Sequence, residues 1–179
     1  MSNERKLVLF IAASMDGYIA APNDDLSFLS LVNKEGEDYG YSSFIQTVDT
    51  AIVGRKTYDW VMAHVPEFSH ADKDTYVITR SPRPSNGNVT FYNGNLKDLI
   101  VELKSKKGKN IFCDGGSEII HELLKEKLID EMTVSIIPIL LGSGTRLFKE
   151  GAPEQKLKLI SSKQFDTGLA QLHYVFEGK

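Results

Sequence analysis

The chain holds one cysteine, Cys113, among 179 residues. No disulfide can form within it, which excludes the stapled scaffolds of small secreted domains and fits a reducing compartment. Cys113 lies inside the apolar run Ile111-Phe-Cys113 and reads as a small buried hydrophobe. A basic excess is also missing, since the net charge is −3 and the pI about 5.8. Binding a phosphate backbone needs clustered positive charge, so no nucleic-acid partner is expected. The densest basic run, Lys104 to Lys109, reads as the solvated end of a helix. No apolar stretch reaches the length of a membrane span, so no membrane partner is expected either. The polar start, Met1 to Lys6, leads straight into a strand-like run without a small-residue cleavage site. The expected location is therefore cytoplasmic. His64, His70, His121 and His173 show no metal-ligand spacing, and no metal site is expected. No G-x-G-x-x-G follows the first apolar run and no Walker A motif occurs, so a dinucleotide would have to be held in another way.

What is present is an ordinary globular balance, 41% hydrophobic and 25% charged. The length fits one domain over residues 1–179. Leu7 to Ala13 is a continuous apolar run, too short for a typical helix, and fits a strand covered on both faces. Ser14-Met-Asp-Gly17 breaks it, and Tyr18 to Ala20 continues it briefly. Pro22-Asn-Asp-Asp25 is a helix-start signal, so Leu26 to Val32 reads as a first helix and Tyr39 to Val48 as a weaker second one.

Strands follow at Thr50–Gly54, Thr75–Thr79, Asn88–Tyr92 and Asn110–Asp114. Between them run helices over Lys56–Ala63, from the cap Asn95 onward, and over Ser117–Leu128. After Asp130 the pattern changes. Met132 to Ile137 is strand-like, Pro138 to Phe148 is irregular and glycine-rich, and Leu157–Phe165 with Leu169–Phe176 flank an Asp166-Thr-Gly168 turn, as in a hairpin. Alternating strands and helices ending in a hairpin indicate an α/β sheet, mostly parallel, with an antiparallel edge.

Two strand-to-helix turns carry the chemistry. In Ala51-Ile-Val-Gly-Arg-Lys-Thr-Tyr58 a buried strand delivers Gly54, Arg55, Lys56 and Thr57 to a helix start. In Ile111-Phe-Cys-Asp-Gly-Gly-Ser117 the same occurs with Gly115, Gly116 and Ser117. A helix start offers unpaired N–H groups and positive dipole density, which suit phosphate. Two such turns suggest a ligand with more than one phosphate. Thr79, Arg80 and Ser81 end another strand, and two hydroxyls with a guanidinium can hold a phosphate monoester such as the 2′-phosphate of NADP. The acidic candidates are Asp16, Asp24, Asp25 and Asp114; local turn and cap roles compete for the first three.

Taken in order, Ile11-Ala-Ala-Ser-Met-Asp-Gly-Tyr-Ile-Ala20, Val53-Gly-Arg-Lys-Thr-Tyr58, Tyr76-Val-Ile-Thr-Arg80 and Ile111-Phe-Cys-Asp-Gly-Gly-Ser117 resemble the dihydrofolate-reductase-like superfamily. Asp130 to Phe148 resembles the C-terminal reductase domain of bifunctional riboflavin-biosynthesis enzymes. The resemblance spans nearly the whole chain and implies a three-layer αβα fold with NADPH bound across the carboxyl ends of the sheet. By motif position it puts Ala12 and Ala13 near the nicotinamide, and Gly54, Arg55, Lys56 and Thr57 on the pyrophosphate and adenosine side. Thr79, Arg80 and Ser81 meet the 2′-phosphate, while Gly115, Gly116, Ser117 and Glu118 close over the pyrophosphate. The tryptophan- and proline-containing loop of true dihydrofolate reductases has no match, Asp25-Leu-Ser-Phe28 only loosely echoes their folate-binding carboxylate motif, and no deaminase signature occurs within these residues, so no deaminase domain is expected.

The resulting expectation is a stand-alone NADPH-dependent reductase. It would pass hydride to a C=N or C=O of a small pterin- or pyrimidine-like heterocycle or a carbonyl compound, in the manner of 5-amino-6-(5-phosphoribosylamino)uracil reductase or dihydrofolate reductase. Asp25 is the first candidate to hold substrate or relay the proton and Asp16 the second, with bulk water a third source. Arg146 is a candidate for a substrate phosphate. A homodimer is implied by resemblance, with the C-terminal strands and Pro138–Phe148 as contacts. The alternatives are a non-catalytic nucleotide-binding or regulatory protein on the same fold and a flavin-dependent protein.

Overall fold

The computed structural model describes residues 4–66, 68–70 and 72–178. The first apolar run forms β1 (Leu7–Ser14), and its residues alternate between two cores. Leu7, Leu9, Ile11 and Ala13 pack into one cluster; Val8 and Phe10, followed by Ala12, join clusters on the other side. This period of two places β1 inside a sheet with both faces covered, which is why no polar residue interrupts it before Ser14. After the turn at Gly17, whose φ of 86° suits glycine, comes the short β2 (Tyr18–Ala20).

The next two segments refine the sequence reading. The helix expected over Leu26 to Val32 is present as a 3-10 helix over Ser27–Val32, narrower and more tightly wound than an α-helix. Leu29 N–H donates to Leu26 O at 3.0 Å, Asn33 N–H to Ser30 O at 3.1 Å, and Ser30 Oγ–H to Ser27 O at 2.7 Å. Serine hydroxyls that bond their own backbone in so short a segment favour the tighter turn. The helix expected from Tyr39 to Val48 shrinks to α1 (Tyr41–Ile45), because Tyr39 and Gly40 take left-handed φ values of 56° and 83°. Val48 already belongs to β3 (Val48–Gly54).

The remaining elements are α2 (Arg55–His64), β4 (Asp74–Ile78), β5 (Val89–Tyr92), α3 (Leu96–Ser105), β6 (Asn110–Gly115) and α4 (Ser117–Lys125). They are followed by β7 (Glu131–Ile137), β8 (Thr145–Arg146), β9 (Leu157–Gln164) and β10 (Ala170–Phe176). The expected Asn95 cap on α3 is present, its side chain accepting from Asp98 N–H at 3.2 Å. The segment expected to be irregular contains β8, which pairs with β2.

Eight strands form one sheet in the order β5-β4-β3-β6-β1-β7-β10-β9. Its pairings are parallel from β5 across to β7 and antiparallel in β7–β10–β9. α3 and α4 cover the face of Leu9 and Cys113, with Leu99, Ile100, Leu103, Ile120 and Leu123 buried there. Each such side chain contributes roughly 1.5–3 kcal/mol on burial. The opposite face carries Tyr58 of α2 and Phe44 of α1. The hairpin is covered less well. Every residue of β9 is exposed, and the one buried residue of β10 is polar Gln171, whose amide donates to Ser135 Oγ at 3.0 Å and Tyr39 O at 2.9 Å.

At the amino-terminal ends of the strands, buried Arg5 ties three elements together. It donates to Lys109 O at 2.7 Å, Leu103 O at 3.1 Å and Thr50 Oγ1 at 2.8 Å, and pairs with Asp49. Removing the carboxylate leaves a guanidinium buried without its counter-charge, which costs about 1–3 kcal/mol. Asp49→Ala is expected to lower unfolding stability by that amount in urea titration; an unchanged midpoint would show that the knot contributes nothing.

Candidate functional site

The parallel register of β3 and β6 sets Val53 opposite Gly115. Both strands end at the same level, and both lead directly into a helix, α2 from Gly54 and α4 from Gly116. Neither helix start has a side-chain cap. The two turns touch. A Cβ on Gly116 would lie 3.2 Å from Thr57 Oγ1, and one on Gly54 would lie 3.2 Å from Ile119 Cγ1 and 3.7 Å from Gly115 O. Gly115 and Gly116 also hold φ values of 106° and 66°. Glycine is favoured at 115 and 116 by the backbone conformation, and at 54 and 116 a side chain would crowd its neighbour. The result is one wall of uncapped backbone N–H groups contributed by two helix N-termini, an arrangement suited to a multiply charged anion.

β4 runs beside β3, with Gly54 opposite Ile78, so Thr79, Arg80 and Ser81 emerge next to the first turn. Thr79 is buried; its Oγ1 accepts from Ser81 N–H and donates to Ser81 O, both at 3.2 Å, forming a local turn that leaves Arg80 and Ser81 exposed. Sequence reading missed the ion-pair network beside it. Asp59 meets Arg55 Nε at 3.6 Å and Arg83 at 3.3 Å, and Arg83 lies over the Phe91 ring at 5.6 Å. Lys56 and Arg80 have no ion-pair partner among the described residues. Exposed pairs of this kind are worth about 0–1 kcal/mol, so an incoming phosphate can compete for Arg55.

On the other side, Ala12 and Ala13 lie at the carboxyl end of β1, the neighbour of β6. Ser117 Oγ–H donates to Arg146 O at 2.7 Å, which fastens the β8 segment against the start of α4. The Arg146 guanidinium is exposed and stacks over Tyr18 at 4.9 Å. Glu118 pairs with Lys149, and this bond lowers the carboxyl's pKa.

The two predicted acids are both engaged in holding loops. Asp25 is exposed and accepts from Ser27 N–H at 2.8 Å and Ser27 Oγ–H at 2.9 Å, a local aspartate turn. Asp16 accepts from Ser14 Oγ–H at 2.6 Å, Leu141 N–H at 3.0 Å and Gly142 N–H at 2.7 Å. The Ser14 bond, followed by the two backbone donors, holds its pKa down at about 2. Asp16 thus latches the glycine-rich loop to the first turn. Exposed Met15 and Leu140 stand on the two segments it joins, and Met15 N–H donates to Ile139 O at 2.9 Å.

The acid that reaches the turn itself is Asp114, one residue before Gly115. Its Oδ2 lies 2.9 Å from Nε2 of His70, which is 1% exposed. Tyr41 of α1 stands nearby, partly exposed; desolvation, then the charges of Asp114 and Asp72, push its hydroxyl up to about 12. The apolar run hides Asp114 in sequence, and His70 lies 44 residues away. The one available signal was an aspartate ending a strand that otherwise tolerates no charge. Among the described residues no cluster of three or more His, Cys, Asp or Glu could hold a metal ion, and no helix is long and apolar enough to cross a membrane.

A mostly parallel sheet closed by an antiparallel strand pair, with helices around it, defines a dihydrofolate-reductase-like fold. Over residues 5–171 the chain matches the RibD C-terminal domain, and it belongs to that reductase-like family. It is 46% identical over 173 residues to the uncharacterized protein YwjB of Bacillus subtilis (strain 168), covering 96% of this chain and 98% of that one. Among solved structures it resembles a putative riboflavin biosynthesis protein from Shewanella sp. PV-4, with a TM-score of 0.87, 32% identity and coverage of 97% and 99%. Dihydrofolate reductase from Enterococcus faecalis, complexed with NADP(H), shares the fold at a TM-score of 0.66 and 13% identity over 98% of each chain.

Asp16 is stabilising in its ionised form, since its folded pKa of about 2 lies below the usual 3.8. That contribution is complete above pH 4 and is lost as pH falls towards 2. Asp16→Asn is expected to lower the Tm at pH 7 and to flatten the dependence of stability on pH between 4 and 2, followed by circular dichroism. An acid limb identical to that of the unsubstituted chain would contradict the latch.

Proposed function

We propose that this chain is an NADPH-dependent reductase acting on a small planar heterocycle or carbonyl compound. The observation that carries the proposal is the contact between the Gly54–Thr57 and Gly115–Ser117 turns, which joins two uncapped helix starts into one anion-binding wall. The donor set fits a dinucleotide. Backbone N–H groups of Arg55, Lys56, Thr57, Ser117 and Glu118 and the Thr57 hydroxyl would hold the pyrophosphate. Arg80 and Ser81, with Thr79 shaping their turn, would hold the 2′-phosphate. Ala12 and Ala13 would leave space beside β1 for the nicotinamide, which supplies hydride when bound.

The chain's own residues then bind, orient and manage the proton. Asp114 is the group best located to meet the acceptor, because it stands directly before the glycine turn with an oxygen still open. Its carboxylate would accept a hydrogen bond from a substrate N–H, or would take a proton from solvent water and pass it to the nitrogen or oxygen reduced by hydride. Asp16 acts on substrate only through the loop it holds, and Asp25 through the local turn it makes with Ser27. Arg146, exposed beside the second turn, remains available to a substrate phosphate. Most of the rate would come from orientation within this site and from preformed dipoles that meet developing charge.

The protein is also proposed to form a homodimer through the uncovered hairpin. Leu157, Leu159 and Ile160 on the exposed edge strand β9 are 39%, 49% and 50% exposed, and an apolar edge of this kind invites pairing. Ile160→Lys is expected to convert a dimer to a monomer in sedimentation velocity, whereas a monomeric unsubstituted chain would end this proposal.

Fluorescence titration is expected to show saturable NADPH binding at micromolar concentration. Loss of one charge-assisted phosphate contact is worth about 1.5–3 kcal/mol, so Arg80→Ala should reduce the preference for NADPH over NADH by roughly 10–100-fold. An absence of NADPH binding would remove the reductase reading; an unchanged preference would remove Arg80 from the 2′-phosphate site. A screen of NADPH oxidation over pterins, pyrimidine diones and small carbonyls identifies the acceptor.

A further inference from the structure

His70 lies in the segment between α2 and β4, and its burial calls for an explanation. Its ring is set edge-on between Phe68, at 5.3 Å and 89°, and Phe112, at 5.6 Å and 82°. Its backbone carbonyl accepts from Lys73 N–H at 2.9 Å. Both ring contacts are with apolar phenylalanines, which ask nothing polar of this position. The imidazole instead leaves Nδ1 buried with no hydrogen-bond partner among the described residues, an unfavourable state that native interiors avoid. What the imidazole adds is the bond from Nε2–H to Asp114 Oδ2 at 2.9 Å.

The two ends of this bond differ. The His70 side chain is 1% exposed and that of Asp114 is 24% exposed. A sealed donor therefore grips a half-open acceptor. Asp114 Oδ1 has no hydrogen-bond donor among the described residues. On the same side of the sheet Phe10 meets Tyr41 at 5.9 Å and Phe44 at 4.6 Å. The titratable groups around the pair are Tyr41 on α1 and, on the segment of His70, Asp72, which is joined to Lys73 at 2.8 Å.

We infer that His70 is a positioning residue for Asp114, fixing one carboxylate oxygen so that the other is presented in a single orientation beside the Gly115–Gly116 turn. This rests on the reductase reading of the same site and specifies what that reading leaves open: the acceptor is met by an aimed carboxylate, which selects substrates that bring an N–H, or accept a proton, at that point. Without the Nε2–H bond the carboxylate rotates and both binding and proton transfer lose their geometry. A purely architectural His70 would only pin its segment to β6, and its removal would lower stability without touching substrate chemistry.

The test compares His70→Gln, which retains an N–H donor, with His70→Leu, which retains apolar volume and no donor, each first measured for stability in urea. Crystal structures of both are expected to show the Asp114 carboxylate in its original orientation in the glutamine variant and turned away in the leucine variant. Nitrogen-15 NMR of the imidazole is expected to report the Nε2–H tautomer, and Asp114→Asn to shift those signals. With a pterin or pyrimidine dione that the unsubstituted chain reduces, His70→Leu should lose about 10–100-fold in kcat. NADPH affinity should stay within about twofold, and His70→Gln should recover most of the rate. An unmoved Asp114 in the leucine variant, an Nδ1–H tautomer or a leucine variant with full kcat would each overturn the inference. Failure of the unsubstituted chain to bind NADPH would instead remove the reductase reading, and the orientation of Asp114 would still decide the role of His70.

Discussion

Two strand-to-helix turns approach each other so closely that a Cβ added at Gly54 or at Gly116 would crowd a side chain of the other turn's helix at 3.2 Å, and the rest of the site depends on that approach. Parallel pairing brings Val53 and Gly115 to the same level, so β3 and β6 release their helices side by side. Placing a Cβ at Gly116 would require a left-handed backbone and displacement of the Thr57 hydroxyl. The left-handed conformation alone costs about 1–2 kcal/mol for an ordinary residue. Closeness has a chemical consequence as well. The first amides of α2 and α4 can act on one ligand, where either alone would be an unremarkable helix start.

Sheet order then distributes the remaining parts. Passing from β4 through β3 and β6 to β1, the carboxyl ends present Arg80, the two glycine turns, Asp114 and finally Ala12 and Ala13. Positive charge is concentrated at the β4 end, where Arg55 and Arg83 share Asp59. Weak exposed ion pairs of this kind hold the arginines in place without withdrawing them from a phosphate. The Asp114 carboxyl stands further along the sheet, directly before the Gly115–Gly116 turn and bonded to His70. A groove lined by Lys127, Gln155 and Glu177 lies at the opposite ends of the strands and contains none of these groups.

Much of this was legible in the sequence, and for identifiable reasons. Strands covered on both faces must be apolar throughout, so Leu7–Ala13, Ala51–Gly54 and Ile111–Cys113 stood out, and the glycines that end them marked the turns. The 3-10 form of the helix over Ser27–Val32 was not legible, because hydroxyl-to-backbone bonds that tighten a short helix leave no periodic trace. Nor was the burial of Gln171, whose partners Ser135 and Tyr39 lie on other elements. The acids were the hardest. Asp16 and Asp25 sit in turn contexts that advertise aspartate, and both hold loops. Asp114 was visible only as a charge at the end of a buried strand, and its histidine became a partner through the fold alone.

The most direct measurement is amide chemical-shift mapping during NADPH titration of the labelled protein. The expected result is that the largest saturable shifts fall on the amides of Arg55 to Thr57 and Ser117 to Ile119 together, with Arg80 and Ser81 shifting on the same binding curve. Shifts confined to one turn, shifts clustered around Lys127 and Gln155, or no saturable change at millimolar NADPH would contradict a nucleotide site built from the two converging helix starts.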